Sequence, residues 1–345
     1  MRTSNSERGG ALLIVLWLSA ALAAIALSVS MTVRTETDHT ATVADGLRAH
    51  YLATGSLDRA VQWMLWGPGA RTSDGQARFW DRQYPRMKMS YPTGDVIVEM
   101  IAESAKLNVN TASPDDLLAV VAAVTGDAGQ AREIAAAIVD WRSGAGDANP
   151  LEAFYLSLGP TFRPRHASLE EIEELLSVRG VTPELFYGNY VADADGRLYP
   201  RGGLRDCLSV WGTVGAFDVN GASPALLEAM GMDPQAVQAV VRRRVARPFK
   251  NIGEVEEMGI PTAHLRVGGN TMWTMRATAR LRRPDGTPSE VLRSAAAVVK
   301  YWDDPRYHPI PVQVVRYYED GWSEFAIAPS LSLATSGPAA GVFAQ

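Results

Sequence analysis

The sequence predicts an α+β fold in which a long N-terminal helix and an antiparallel sheet are interrupted by a helical insertion. Three observations lead there. Residues 11–33 carry no charged side chain, and no proline occurs before Pro68, so nothing forces a break in the first helix. Strand-like segments at 96–101, 271–281, 291–301 and 312–318 bracket a proline-punctuated helical stretch from about 107 to 268. Within that stretch one motif occurs twice, which marks two units of related design.

The first helix has two parts. The uncharged run of 23 residues spans roughly 35 Å as a helix, enough to cross a hydrocarbon core of about 30 Å. A secretory h-region is typically only about 7–15 residues, so the run is too long for a simple cleaved signal, although Ser28-Val29-Ser30 has the small-x-small form of a cleavage site. Arg2 and Arg8 ahead of the run predict a cytoplasmic leader and an exported body. Beyond Val33 the pattern becomes amphipathic, with Leu47, Tyr51, Leu57, Val61, Met64 and Leu65 at mostly three- and four-residue steps. Gly46 and Gly55 are the places where a bend is expected, and Trp63 and Trp66 are expected to pack on the sheet.

The repeat reads Val109-Asn110-Thr111-Ala112-Ser113-Pro114 and Val219-Asn220-Gly221-Ala222-Ser223-Pro224, each followed by a Leu-Leu pair. Ser before Pro is a helix start, with Ser capping and Pro at the first position, where no amide hydrogen is needed. Asn110 and Asn220 suit turns closed by their own amide groups. Each copy leads to a second helix, at 131–142 and 234–244. A short acidic helix then follows, beginning at Leu169-Glu170-Glu171 or Ile252-Gly253-Glu254.

Composition excludes several functions. Net charge is −5, from 33 basic and 38 acidic residues, without the basic excess of most phosphate-neutralising proteins. Cys207 is the single cysteine, which rules out an intramolecular disulfide and a multi-cysteine metal site. The five histidines show no ligand spacing, and neither a G-x-S-x-G nor a phosphate loop is present. Asp140, Asp147 and Glu152, with Asn149, place oxygen donors on one loop that calcium could use, or that water could simply solvate.

The paired helices resemble helix-hairpin-helix (SAM-like) modules, and the Leu-Asn-Val-Asn-Thr-Ala-Ser stretch is similar to the DNA-binding modules of competence proteins. Such hairpins hold phosphate with backbone amides at the turn. Here the turns carry Asp127 and Asp233, which repel an anion, while Arg242, Arg243 and Arg244, with Arg247 and Lys250, form a candidate polyanion cluster. A membrane-tethered DNA-binding protein of a competence system is therefore the second reading, although nucleic acid is not the expected partner.

Most of the chain resembles the general secretion pathway protein K family, the large minor pseudopilins of type II secretion. The resemblance runs from Arg8-Gly9-Gly10-Ala11-Leu12-Leu13, through Asn108-Val109-Asn110-Thr111-Ala112 and Ile138-Val139-Asp140-Trp141, to the stretch from Glu173 to Gly188. It implies a pilin-like fold and a non-catalytic subunit at the tip of a pseudopilus, taking part in export across the outer membrane. It also implies a single-pass inner-membrane anchor with the bulk of the chain in the periplasm. The implied partners are minor pseudopilins of the I and J types, a prepilin peptidase and the inner-membrane secretion platform. The peptidase would cut between Gly9 and Gly10, or after Gly10. The fifth mature position, usually Glu in pilin-like proteins, is then Ile14, or Val15 under the second cut. Family members often carry an Asp-rich loop, suggestive of calcium, after the Asp-Trp pair; here Asp147 and Glu152 are what remains of it.

The expected organisation is a leader at 1–9, the anchor helix at 10–66 and the first part of the pilin-like domain at 67–106. Helical modules follow at 107–215 and 216–268, then C-terminal strands at 269–325 and a disordered tail at 326–345. Residues 191–216 receive no assignment.

Overall fold

The computed structural model describes residues 6–66, 73, 80, 86–144, 149–159, 162–192, 196, 198–269, 271–302, 310–319 and 321. Residues 1–5 of the expected leader, Asp147, His308 and the expected tail at 326–345 lie outside them, as does most of 67–85.

Helix α1 (Ser6–Trp66) runs without interruption for 61 residues, about 90 Å. Its N-terminal part includes an 18-residue window of mean hydropathy 2.6, exposed throughout, as an anchor for lipid requires. The last turns pack on β2 (Gly94–Ala102), whose hairpin partner is β1 (Arg86–Tyr91). The stripe buried on α1 differs from the expected one. Gly46, Ala49, Ala53, Leu57, Ala60 and Met64 face the protein, whereas Leu47, Tyr51 and Leu65 are exposed. Small side chains at four of these six positions let the sheet approach the helix backbone closely, and Leu57 and Met64 fill the rest of the stripe. Gly46 serves this approach and makes no break: a Cβ there would sit 3.1 Å from the guanidinium of Arg293. Trp63 is buried as expected, but Trp66 is exposed.

After β2 the chain passes through a 3₁₀ turn, Glu103–Ala105, and leaves the sheet. The insertion comprises β3 (Leu107–Asn108), α2 (Pro114–Thr125), α3 (Ala128–Arg142), α4 (Glu152–Leu158), α5 (Pro183–Tyr187), β4 (Asn189–Ala192), β5 (Leu198–Arg201), α6 (Leu204–Cys207), β6 (Leu208–Ser209), β7 (Phe217–Asp218), α7 (Pro224–Ala229), α8 (Pro234–Ala246), α9 (Gly253–Glu256) and β8 (Leu265–Arg266). The acidic segment after Leu169 is a 3₁₀ stretch, Ile172–Ser177, not an α-helix. The chain then returns in β9 (Met272–Arg282), β10 (Pro288–Tyr301) and β11 (Val312–Tyr318).

The five-stranded sheet has the order β1-β2-β9-β10-β11 and is antiparallel throughout. β2 and β9 are direct neighbours, with Ala102 opposite Trp273. The whole insertion is thus an excursion between two adjacent strands. Met275, Ala277 and Ala279 of β9 face α1, together with Ala295, Ala297 and Val299 of β10. On the opposite face Arg276 is buried against Glu99, with Nε 2.8 Å from Oε2. A second core fills the insertion and runs from Leu107 through Leu117, Phe186 and Leu226 to Leu265. Both modules share it, so they are halves of one packed body. The unassigned 191–216 segment contributes the β4–β5 hairpin, α6 and β6, and β6 pairs in parallel with β3.

The buried stripe of α1 yields a prediction. Ala53→Leu should destabilise the detergent-solubilised protein by about 1–3 kcal/mol through overpacking, whereas Leu47→Ser should change stability by no more than about 0.5 kcal/mol. Denaturant unfolding of the two variants measures both effects.

Candidate functional site

The two copies of the repeat build the same constellation. Asn108 and Asp218 end short strands, and their side-chain oxygens accept from the amides of Asn110 and Asn220, at 2.9 and 3.1 Å. Asn110 exchanges two hydrogen bonds with the backbone of Leu169, at 2.9 and 2.7 Å. Asn220 does the same with Phe249, at 3.0 and 2.9 Å. Each Asn therefore ties the head of its module to a distant segment of the same module. Ser113 and Ser223 cap α2 and α7 as expected, accepting from Asp116 and Leu226.

The turns that would hold phosphate are filled from within the chain. Asp127 accepts from the amides of Gly129 and Gln130 at the start of α3, at 2.7 and 3.0 Å. Asp233 accepts from Gln235 and Ala236 at the start of α8, at 2.8 and 3.4 Å. These backbone hydrogen bonds hold the Asp127 carboxyl below its ordinary pKa. The helix N-termini that attract anions thus already carry one each.

The arginine cluster separates in the same way. Arg244 donates to the carbonyls of Val219 and Ala222, at 2.9 and 2.6 Å. Arg142, at the end of α3, donates to Val109 and Ala112 of the first copy, both at 2.5 Å. Arg243 bonds Glu254 at 2.9 Å and lies over the ring of Phe249. Arg243 and Arg244 are partly buried, whereas Arg242, Arg247 and Lys250 are exposed.

The calcium candidates fare differently from one another. Asp140 is buried and Glu152 is partly exposed, and the space near them is taken up by His166 and Asn149. Among the described residues no group of three His, Cys, Asp or Glu is arranged to hold a metal. Asp147 lies outside those residues; of the described candidates, Asp140 accepts from Asn149 and Glu152 faces a ring nitrogen of His166. Gly9 and Gly10 lie near the start of α1, and Ile14 is exposed on the apolar part of that helix.

Sequence reasoning missed the residues that join the insertion to the sheet. Glu103 is buried at the exit from β2 and accepts from Lys106 at 3.2 Å, from Thr274 of β9 at 2.5 Å and from Ser209 of β6. Burial alone would raise its pKa, but Lys106 and the two hydroxyls outweigh that and leave it lowered. Beside it, Arg205 pairs with Glu173 at 2.7 Å and lies over the ring of Tyr318 in β11. Burial pulls that guanidinium down to about 10, against the opposing effect of Glu173. Arg316 of β11 pairs with Glu171. The Glu103–Lys106 spacing is visible in the sequence, but its partners in β6 and β9 are far away in the chain.

Residues 98–187 match the family model for protein K of the type II secretion system. No curated protein matches the chain. Among solved structures, the chain is similar to one in the crystal structure of the GspK-GspI-GspJ complex from the type 2 secretion system of enterotoxigenic Escherichia coli. The TM-score is 0.50 at 14% identity, over 83% of this chain and 100% of that one. At that identity the likeness shows the fold: a long N-terminal helix on an antiparallel sheet.

Two predictions follow from the junction and the repeat. Arg142→Ala and Arg244→Ala should each cost about 1–3 kcal/mol by leaving partly buried carbonyls unpaired, with Arg242→Ala near neutral, all read by thermal unfolding. Glu103→Gln should cost about 3–5 kcal/mol at neutral pH, because it breaks a buried pair. Since the folded-state pKa of Glu103 is lowered, its contribution is complete above the ordinary glutamate value of about 4.3. It is lost as pH falls through the folded-state value. The gap between wild type and Glu103→Gln should therefore shrink on acidification, as denaturant midpoints at several pH values would reveal.

Proposed function

We propose that this chain, which belongs to the protein K family of the type II secretion system, occupies the tip of a pseudopilus and takes part there in protein export. It is a minor pseudopilin, with one apolar helix fit to cross a membrane once. The observation that carries the tip reading is the placement of the insertion. A whole helical body leaves the sheet between neighbouring strands β2 and β9, and such bulk would clash with subunits stacked along a shaft. The apolar run supports the same reading. Ile14 cannot offer the carboxylate that would pair with the amino terminus of a subunit above it in a low-dielectric core. A subunit with nothing above it does not need that pair.

In this reading a prepilin peptidase cuts between Gly9 and Gly10 on the cytoplasmic side, α1 anchors in the inner membrane and the two cores fold in the periplasm. The I- and J-type minor pseudopilins, the partners in the complex of similar fold, are the expected neighbours. The secretion platform receives the anchored helix. The protein is non-catalytic, and its helical body faces cargo or the outer-membrane channel.

N-terminal sequencing of the membrane-extracted protein tests processing: the mature chain should begin at Gly10, or at Ala11 under the second cut. An intact Met1, or a start near Met31, would sink the reading. Co-expression with the I- and J-type subunits from the same genome should yield a complex on affinity purification. Failure to form it would remove the tip assignment.

A further inference from the structure

Asp140, Asn149, Glu152 and His166 meet at the two ends of the segment between α3 and α4. His166 Nε2 lies 2.9 Å from Glu152 Oε2. Its Nδ1 lies 3.1 Å from Asn149 Nδ2 and 3.3 Å from the carbonyl oxygen of Asp140. Asn149 Nδ2 also donates to Asp140 Oδ1, at 3.3 Å. His166 is the one non-glycine residue with positive φ, 48°, among the described residues, and its side chain is 9% exposed. That backbone is costly for a residue with a Cβ and persists where the surroundings over-determine it.

We propose that this clasp of four side chains closes the α3–α4 segment by direct hydrogen bonds and takes the place of the divalent cation that its acidic residues suggest. With Nε2 protonated, the ring donates to Glu152 while Nδ1 accepts from Asn149, whose amide also donates to Asp140, so one chain of hydrogen bonds joins Glu152 to Asp140. Glu152 Oε2 already faces a ring nitrogen, and Asn149 presents its amide donor to Asp140. Imidazole nitrogen and an amide N–H are poor company for calcium, which takes oxygen. Asp140 Oδ1 accepts from Asn149, while its Oδ2 is sealed from solvent without a hydrogen bond. The first module then folds independently of calcium. This holds whether or not the subunit sits at a tip.

The test uses the full-length chain in detergent, with thermal unfolding and limited proteolysis of residues 143–151 in EGTA or in millimolar calcium chloride, and calorimetric titration with calcium. The expected result is the same Tm and cleavage rate in both conditions, with no binding heat. His166→Ala and Glu152→Gln should lower the Tm by several degrees and speed cleavage several-fold. His166→Gly removes the positive-φ cost along with the ring, and it should still be less stable than wild type. Should His166→Ala fail to fold, Glu152→Gln and the chelator comparison still decide. The proposal is overturned if calcium raises the wild-type Tm by several degrees and Asp140→Asn abolishes that rise, or if His166→Gly is as stable as wild type.

Discussion

The geometry of this protein depends on one buried carboxylate. Glu103 stands where the chain leaves β2, and it gathers Lys106 from the same turn, Thr274 from β9 and Ser209 from β6. The sheet, the start of the insertion and the far end of the first module therefore converge on two oxygen atoms. A buried charge is expensive unless it is paired and hydrogen-bonded, so the arrangement is tolerated only when all three partners are in place. That all-or-none character helps an insertion joined to its host by two strands. A solvated joint would let the helical body swing, whereas this one loses its compensation if either side moves. Arg205 over Tyr318 and Arg316 with Glu171 hold the same junction farther along β11.

Much of the architecture was legible because it rests on local chemistry. The uncharged run of α1, the Ser-Pro helix starts and the strands β9, β10 and β11 all follow from patterns of a few residues. Strand β1 escaped notice since Met87 and Met89 supply its buried face and methionine carries little strand signal. The face of α1 was misread for a related reason. Periodicity weighs large apolar residues, but this interface selects small ones, and Ala49, Ala53 and Ala60 look alike whether they pack or merely favour helix. Residues 191–216 were illegible because their role is set by partners elsewhere: Asn108 donates to the carbonyls of Val210 and Gly212 from about a hundred residues away.

The candidate site was legible in identity and not in use. The arginines and aspartates were visible as residues that might meet a polyanion, yet most of them are spent inside the fold. A guanidinium at the end of the second helix reaches back to two carbonyls of the repeat in both modules. The offsets differ, 33 residues in one copy and 25 in the other, so no fixed spacing advertises the link. His166 was set aside for lack of ligand spacing; its partners are a carboxylate and a side-chain amide, which spacing rules for metals do not register.

These findings bear on why a hairpin design suited to phosphate can serve as a scaffold. Anion binding at such a turn needs free amides at a helix N-terminus and an uncompensated positive field. Asp127 and Asp233 supply one acceptor and one negative charge to each turn, which meets both requirements internally. The module keeps its packing, because the capping geometry that would orient amides toward phosphate now orients them toward the aspartate. The two halves share one core. The helical body they form is set between neighbouring strands β2 and β9 of a sheet packed on one long helix whose N-terminal part is apolar.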